Sequence, residues 1–546
     1  MKTAKDSKRP LALVVAAGVL VALGCPRVSQ ADHPFVLGLL SSEPITTLDY
    51  LDASSKTRLL VEAQIMEGLV GLNLHEDREV EPRLAEYFTR IDRRTYVFRL
   101  RNGVYFHPHR HGAEFKADER VTPEDVVFSL LRARNSRSAS LFRLDKMETV
   151  RAATENLVKI KLAQPDDNLL FQLATAIGHV ACKEYYESLG IDDAARKAAF
   201  SKAPVGTGPY RLARSLTDGA KIIVLERFER YRDRTWARAQ SAVTQVEYRY
   251  YDSPTAIRAG LDRREISMVS LLVSALPPTK APPRTYTEVQ LTHPLLSIFA
   301  IHLTKPEFSA PLTRKLLNAA VQKDRIAYLC PQGEGELPRG YTYYLEIARR
   351  YLREKTSSAV TSLRQHPGSE ERLRALRARG PLTILIPVGQ DFIRDKIVGA
   401  VAADLAAALQ VEVTIQATNR LPDDMRAEKP TYDFVYVDWT PNTPSERDGL
   451  SLLYAFFYSW SPYNSRYADP SVDQMFEQIA DEVEEITTTQ LYSRIQTKLL
   501  ANSPHIWLPN VRGDSILLDK SYKPRFGSSL SVYYSSALKY VEKVRL

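Results

Sequence analysis

The sequence contains little cysteine: only Cys25, Cys182 and Cys330 occur among its 546 residues. No two of them form a C-x-x-C pair, which argues against a zinc site of the common kind. Cys182 and Cys330 could form a disulfide in an oxidising compartment, or both could be buried thiols. Of these alternatives we expect the buried thiols, and we predict neither a metal nor a cofactor.

Motifs of the common enzyme classes are also absent. The chain has no G-x-S-x-G, no H-E-x-x-H and no phosphate-binding G-x-x-x-x-G-K-[ST], so we expect it not to be an enzyme. A catalytic triad assembled from distant residues stays open at this point. There is no long Lys/Arg block either. The net charge of +9 falls to +5 without residues 1–31, which excludes nucleic acid as the expected partner.

Only one long apolar run is present, and it lies near the amino terminus, at residues 11–23. It follows a basic segment, precedes the small-x-small sequence Ser29-Gln-Ala31, and is too short to span a bilayer. We therefore predict a secretory signal peptide over residues 1–31. A rival interpretation is a lipoprotein signal in which Cys25 carries the lipid.

Strand and helix patterns alternate in the second half of the chain. Residues 382–388 and 411–415 have strand patterns, and the apolar residues between them recur at helical spacing, which predicts a parallel βαβ unit. Residues 432–439 form a further predicted strand ending in Asp438 and Trp439. Ligands of α/β sheets bind beyond the carboxyl ends of strands, so this end is a candidate site.

Aromatic residues are concentrated at and after this strand end. Trp439 could stack on a ligand or pack in the core, and its position at the strand end favours the ligand. The following Tyr454, Phe456, Phe457, Tyr458 and Tyr463 are expected mainly in the core. Trp460, from the same group, is kept as a candidate ligand contact.

Three histidines alternate in the sequence Phe106-His-Pro-His-Arg-His-Gly112. On an extended chain His107, His109 and His111 would share one face, as metal ligation requires. Pro108 and Gly112 instead favour an exposed turn. We expect the turn, and no metal ligand among the candidate site residues.

A second turn is the most specific feature of the chain. Residues 203–211, APVGTGPYR, place two glycines and two prolines where neither a helix nor a central strand can continue. The turn resembles P-x-G-T-G-P-Y/F of extracellular solute-binding proteins of the peptide/nickel-binding family, the capture subunits of ABC importers. Further motifs resemble that family in order: PRLAE (82–86), YVFRLRNGVYFH (96–107), VTPEDVVFS (121–129), LERFERY (225–231), residues 257–266 and 302–326, and YADPSVD (467–473).

The resemblance spans roughly residues 35–510 and implies an α/β, two-lobed periplasmic-binding-protein type II fold with an extra domain in the amino-terminal lobe. Hinge crossings are implied near residues 296–300 and 504–507. The implied divisions are lobe I from residues 33–75, 204–295 and 505–546, an inserted domain over 76–203, and lobe II over 296–504.

The family also implies a function. It predicts a monomeric periplasmic protein that closes around a solute and delivers it to an inner-membrane permease. Alternatives are an envelope sensor or adaptor with the same fold, and an envelope hydrolase. Glu43, in a segment that resembles the family's E-P-x-T-L-D, either contacts the ligand or caps a strand end.

One departure from the family bears on the solute. Peptide-binding relatives have W-x-x-D-Y, whose aspartate pairs with the peptide's ammonium group, whereas this chain has Asn442 after Trp439. An amide can form hydrogen bonds but supplies no charge. Asp438 could substitute, so a peptide-like solute is the default expectation, with nickel complexes, sugars and opines as alternatives.

Overall fold

A computed structural model gives the fold of the chain. The chain divides into two units, residues 1–33 and 34–546, and all elements below belong to the second. The structure describes residues 33–40, 45–51, 56–72, 80–136, 139, 144–166, 169–270, 283–329, 365–387, 392–418, 421–427, 429–439, 448–461, 463–481, 485–508, 511–524 and 537–544.

The described strands, in chain order, are β1 Phe35–Leu40, β2 Val70–Leu72, β3 Val80–Pro82, β4 Ala85–Asp92, β5 Thr95–Leu100, β6 His109–His111, β7 Glu114–Lys116, β8 Met147–Thr154, β9 Leu157–Leu162, β10 Tyr210–Leu212, β11 Ile222–Arg227, β12 Gln245–Tyr251, β13 Met268–Ser270, β14 Tyr286–Ile301, β15 Leu382–Pro387, β16 Val413–Thr418, β17 Phe434–Trp439, β18 Val511–Asp519, β19 Tyr522–Pro524 and β20 Val541–Lys543.

The described α-helices are α1 Lys56–Ile65, α2 Pro123–Arg134, α3 Leu169–Leu173, α4 Lys183–Ser188, α5 Asp193–Lys202, α6 Arg234–Arg238, α7 Pro254–Asp262, α8 Pro311–Ala320, α9 Lys323–Leu329, α10 Ser369–Arg379, α11 Phe392–Leu409, α12 Leu421–Arg426, α13 Asp448–Phe457, α14 Pro470–Asp481 and α15 Glu485–Asn502. Among these described residues, no helix is both long enough and apolar enough to cross a membrane.

One mixed sheet runs through the molecule in the order β10-β11-β12-β1-β13-β18-β14-β17-β15-β16. The βαβ unit predicted from the sequence is present, because β15 and β16 pair in parallel and α11 connects them. Two layers of core cover the faces of β17. Its residues alternate between a core that holds Val435 and Val437 and a second core that holds Phe434 and Tyr436.

A separate four-stranded antiparallel sheet, β4-β5-β9-β8, lies within residues 85–162, and α2 contributes Val126 and Leu130 to the same buried core. The start of α2 is capped by Thr122. The Thr122 side chain accepts a hydrogen bond from the Asp125 backbone, and the Asp125 carboxylate accepts one from the Thr122 backbone. Such reciprocal capping satisfies two amide groups that a helix start leaves free.

Candidate functional site

The carboxyl ends of two strands point toward the same part of the large sheet. β1 is parallel to β13, and both run in the same direction as β14, because β18 is antiparallel to β13 and to β14. β17 is antiparallel to β14. β1 therefore ends toward the middle of β14 from one side, and β17 ends toward it from the other.

The pairing of β14 changes at its middle. Residues 286–291 pair with β18, and Leu295 and Leu296 pair with β18 again after a register shift. From Leu296 to Ile301, β14 also pairs with β17. β15 is parallel to β17 and so ends on the same side as β17. Ligands of α/β sheets bind beyond the carboxyl ends of strands, so this part of the sheet is the candidate ligand site.

Trp439 is the last residue of β17 and lies opposite Leu296. Its side chain is only 8% exposed and packs edge-to-face on Phe456 and Tyr463, with ring centroids 5.1 and 5.3 Å away. Its indole Nε1 is buried and has no hydrogen-bond partner among the described residues. Since a buried indole N–H usually finds an acceptor, this donor is available to an acceptor outside the described residues.

Asp438 points to the opposite face of β17 and is half-buried. Its Oδ1 accepts a hydrogen bond from Tyr436 Oη at 2.6 Å, and Tyr436 Oη lies 2.8 Å from Ser297 Oγ on the neighbouring strand. This contact holds the carboxylate along the strand and was not foreseen from the sequence. The sequence does indicate this contact through the two-residue spacing of Tyr436 and Asp438, because residues at that spacing share a face of a strand.

The other predicted site residues are distributed differently. Glu43 and Asn442 lie outside the described residues, beyond the carboxyl ends of β1 and β17 in the sequence. Trp460 is 83% exposed and stacks on no other ring in the described part of the chain. The expected core packing is seen for Phe456 and Phe457, which are fully buried.

The turn at residues 203–211 packs closely against the end of α1. The Gly208 amide donates to the Ile65 carbonyl at the end of α1, and a Cβ on Gly208 would lie 2.3 Å from the Gln64 carbonyl oxygen. Only glycine permits this approach. The turn also reaches a buried ionic group, because Thr207 Oγ1 donates to Glu67 at 3.4 Å.

Glu67 is the centre of that ionic group. It accepts hydrogen bonds from Tyr231 at 2.8 Å and from Arg232 at 3.2 Å. Burial acts to raise the pKa of Glu67, but the nearby guanidinium groups of Arg232 and Arg83 lower it below its ordinary value. The carboxylate is therefore charged and paired, as stability in a buried position requires.

The three alternating histidines do not converge. His107 is buried, its Nε2 donates to the Gly208 carbonyl at 3.0 Å, and burial lowers its pKa to about 4. His109 is buried beside Cys182, and His111 is half-exposed on the same short strand. Cys182 is a free buried thiol, whereas Cys330 and Cys25 lie outside the described residues.

The sequence matches a known protein family. The sequence profile of the family described as "Bacterial extracellular solute-binding proteins, family 5 Middle" matches residues 79–459. The glutathione-binding protein GsiB of Pectobacterium atrosepticum is 26% identical over 533 residues, which is 91% of this chain and 92% of that protein.

Two solved structures show the same fold. The periplasmic binding protein DppA from Helicobacter pylori, in complex with the peptide STSA, has a TM-score of 0.73 at 16% identity, covering 93% of this chain and 98% of that one. NikZ from Campylobacter jejuni, in complex with Ni(L-His), has a TM-score of 0.67 at 16% identity, covering 94% and 100%. Because the family profile covers more than half of the sequence, this chain belongs to family 5 of the bacterial extracellular solute-binding proteins.

Proposed function

We propose that this protein captures a solute between two lobes and delivers it to an ABC-type permease of the inner membrane. The observation that carries the proposal is the convergence of the carboxyl ends of β1 and β17 on the middle of β14. Lobe I, from residues 33–75, 204–295 and 505–546, would supply one wall, and lobe II, from 296–504, the other. Residues 76–203 would form the inserted domain of lobe I.

The proposed mechanism is hinge closure. β14 and β18 pair with each other in both halves of the molecule, and the register shift between Leu291 and Leu295 interrupts their pairing. An irregular segment absorbs backbone rotation with less loss of hydrogen bonding than a regular ladder. The solute favours the closed state because it contacts both walls only when the lobes have closed.

For the solute we propose a small polar, peptide-like molecule that is not held by the usual ammonium–carboxylate pair. Asn442 supplies no charge, and Asp438 already accepts a hydrogen bond from Tyr436. Nε1 of Trp439, for which the described residues supply no acceptor, adds a neutral donor at the same strand end. A site of neutral donors should accept solutes whose amino group is blocked or absent, since an unpaired buried ammonium is costly.

We also propose that the protein works in the periplasm as a monomer, secreted through residues 1–31. The relative from Helicobacter pylori is described as periplasmic, and the apolar run at residues 11–23 has the length of the apolar segment of a signal peptide. Lipidation at Cys25 is the alternative form of export.

Calorimetric titration tests the proposed function and its solute class. Protein purified without denaturation is first analysed by native mass spectrometry for a retained solute, and is then stripped and titrated with a free tetrapeptide and its amino-acetylated form. We expect the affinities for the free and the acetylated peptide to agree within about threefold, because acetylation breaks no charged pair. Asp438→Asn serves as the matched control and should change the affinity for neither peptide.

Two outcomes would count against the proposal. Micromolar binding of the free peptide that acetylation abolishes would show that a carboxylate supplies the charge, and sensitivity of that binding to Asp438→Asn would identify it. If no retained solute is found and peptides, sugars and metal chelates all fail to bind, solute capture itself is wrong.

A further inference from the structure

Three side chains with metal-ligand chemistry meet away from the converging strand ends. His109 lies on β6, Glu119 follows β7, and Cys182 immediately precedes α4. His109 Nε2 is 2.9 Å from Glu119 Oε2, and Cys182 Sγ is 3.3 Å from Glu119 Oε1 and 4.0 Å from His109 Nε2. The chain thus brings an imidazole, a carboxylate and a thiol within 4.8 Å of one another.

These separations allow one ion to touch all three groups. Bonds to Zn²⁺ are about 2.3 Å for sulfur and about 2.0 Å for nitrogen or oxygen. Two ligand atoms can share an ion only if they are closer than the sum of their two bonds, which is about 4.3 Å for sulfur with nitrogen. The 4.0 Å between Cys182 Sγ and His109 Nε2 meets this condition, and both distances to Glu119 meet it easily.

The His109 ring is oriented for ligation through Nε2. Its Nδ1 lies 2.8 Å from the His107 carbonyl oxygen, which can only accept, so Nδ1 carries a proton and donates it. The other ring nitrogen, Nε2, faces Glu119 and Cys182. Tyr185 packs edge-to-face on the ring at 5.1 Å and helps to fix its plane. Metal-ligating histidines usually make such a bond through their other nitrogen.

Glu119 Oε2 supplies a second, independent observation. This oxygen is buried and has no hydrogen-bond partner in the described part of the chain, although His109 Nε2 is only 2.9 Å away. The two atoms are close, but their arrangement does not meet the geometry of a hydrogen bond. A buried carboxylate oxygen without a hydrogen bond is unfavourable, and a cation bound between this oxygen and Nε2 would give it a partner.

The cluster also borders a cleft that is open to solvent and lined by more acidic than basic residues. Glu119 lines an open cleft of about 870 Å³ that has three basic residues in its lining. The acidic residues of that lining besides Glu119 are Asp118, Glu124, Asp125, Glu184 and Glu187. An excess of carboxylates attracts cations and disfavours anionic solutes.

We propose that His109, Glu119 and Cys182 bind one thiophilic divalent cation, of which Zn²⁺ is the best match. Imidazole, thiolate and carboxylate together suit zinc, and three protein ligands leave a fourth position for water from the cleft. On binding, the thiol proton of Cys182 goes to solvent and the sulfur bonds to the metal. The site departs from our expectation that no metal ligand is present, and it is separate from the proposed solute site.

Metal binding to the full chain, without an affinity tag, tests the proposal. The protein is treated with a chelator, desalted and dialysed against Zn²⁺, and bound zinc is counted by mass spectrometry. We expect one equivalent for the wild type and at least tenfold weaker binding for Cys182→Ser, Glu119→Gln and His109→Gln. His111→Gln, from the same strand, and Cys330→Ser are the matched controls and should retain the site.

A spectroscopic titration of the wild type keeps the proposal testable if these variants fold poorly. Co²⁺ should give a thiolate-to-metal charge-transfer band that saturates at one equivalent, is displaced by Zn²⁺ and persists in Cys330→Ser. The proposal is wrong if the wild type binds no Zn²⁺, if Co²⁺ gives no such band, or if folded Cys182→Ser binds zinc as tightly as the wild type.

Discussion

At the scale of single residues, Trp439 combines two properties that sequence patterns treat as alternatives. Its position at the end of β17 is that of a candidate ligand contact, while 8% exposure and contacts with Phe456 and Tyr463 are those of a core residue. The ring is buried, while its Nε1 has no hydrogen-bond partner within the part of the chain that the structure describes. One side chain can therefore support the strand end with its faces and offer a hydrogen bond from its edge.

Replacing Trp439 by alanine should destabilise the protein as a core truncation does. We expect Trp439→Ala to lower the free energy of unfolding by about 3–5 kcal/mol, because a large cavity is left beside Phe456. Trp460→Ala is the matched control, since Trp460 is 83% exposed, and it should change stability by less than about 0.5 kcal/mol. Denaturant unfolding measures both.

Solute titration of the same variants separates the two roles of Trp439. If Trp439→Ala is nearly as stable as the wild type yet loses solute affinity, the ring is a ligand wall and not a core residue. If Trp460→Ala instead weakens binding, the exposed tryptophan is the one that contacts the solute.

Sequence patterns predicted the place of Trp439 but not its surroundings. The strand over residues 432–439 follows from its apolar composition, and β17 covers Phe434–Trp439. The partners Phe456 and Tyr463 belong to α13 and the segment after it, and only tertiary packing brings them to the strand end. The meeting of His109, Glu119 and Cys182 has the same origin, because Cys182 is 63 residues from Glu119.

At the scale of elements, local signals predicted well where the interactions themselves are local. The parallel pair β15–β16 joined by α11 is confirmed. The turn at residues 203–211 was predicted as a rigid turn, but its contact with α1 was not predictable, since the two segments are far apart in sequence. In the sequence, only the two glycines of the turn, Gly206 and Gly208, indicate such a close approach.

Gly208 provides a test of this docking. A Cβ there would lie 2.3 Å from the Gln64 carbonyl oxygen and 2.7 Å from the Ile65 carbonyl carbon, which are backbone atoms and cannot rotate away. We expect Gly208→Ala to lower the free energy of unfolding by about 1–3 kcal/mol through overpacking. Thermal and denaturant unfolding provide the measurement.

Gly399 is the matched control for Gly208. It lies within α11, and a Cβ added to it meets nothing within 4 Å. Gly399→Ala should therefore raise stability, by up to about 1 kcal/mol, because alanine is the better helix former. Equal effects of the two substitutions would contradict the docking explanation and indicate that the turn yields to accommodate the new methyl group.

At the scale of the whole molecule, one continuous sheet connects separate buried cores. Its ten described strands form one hydrogen-bonded series, and among them β14 and β18 connect the part of the sheet that contains β1 to the part that contains β17. Buried residues gather in separate cores at either end of this series, one containing Leu37 and Leu39 and another containing Val435 and Trp439. Separate cores joined by two strands favour motion between rigid bodies over motion within either body.

Such motion predicts that a bound solute changes the dimensions of the molecule. Small-angle scattering of the stripped protein and of the protein saturated with the solute recovered by native mass spectrometry should show a smaller radius of gyration in the loaded form. The physical reason is that the solute gains contacts with the second wall only on closure, which shifts the population toward the closed state. A solute that shows no calorimetric binding, added at the same concentration, controls for effects of the solvent. Should the radius stay unchanged although calorimetry shows saturation, the lobes do not close, and the solute must bind to one wall or to a site that is already formed.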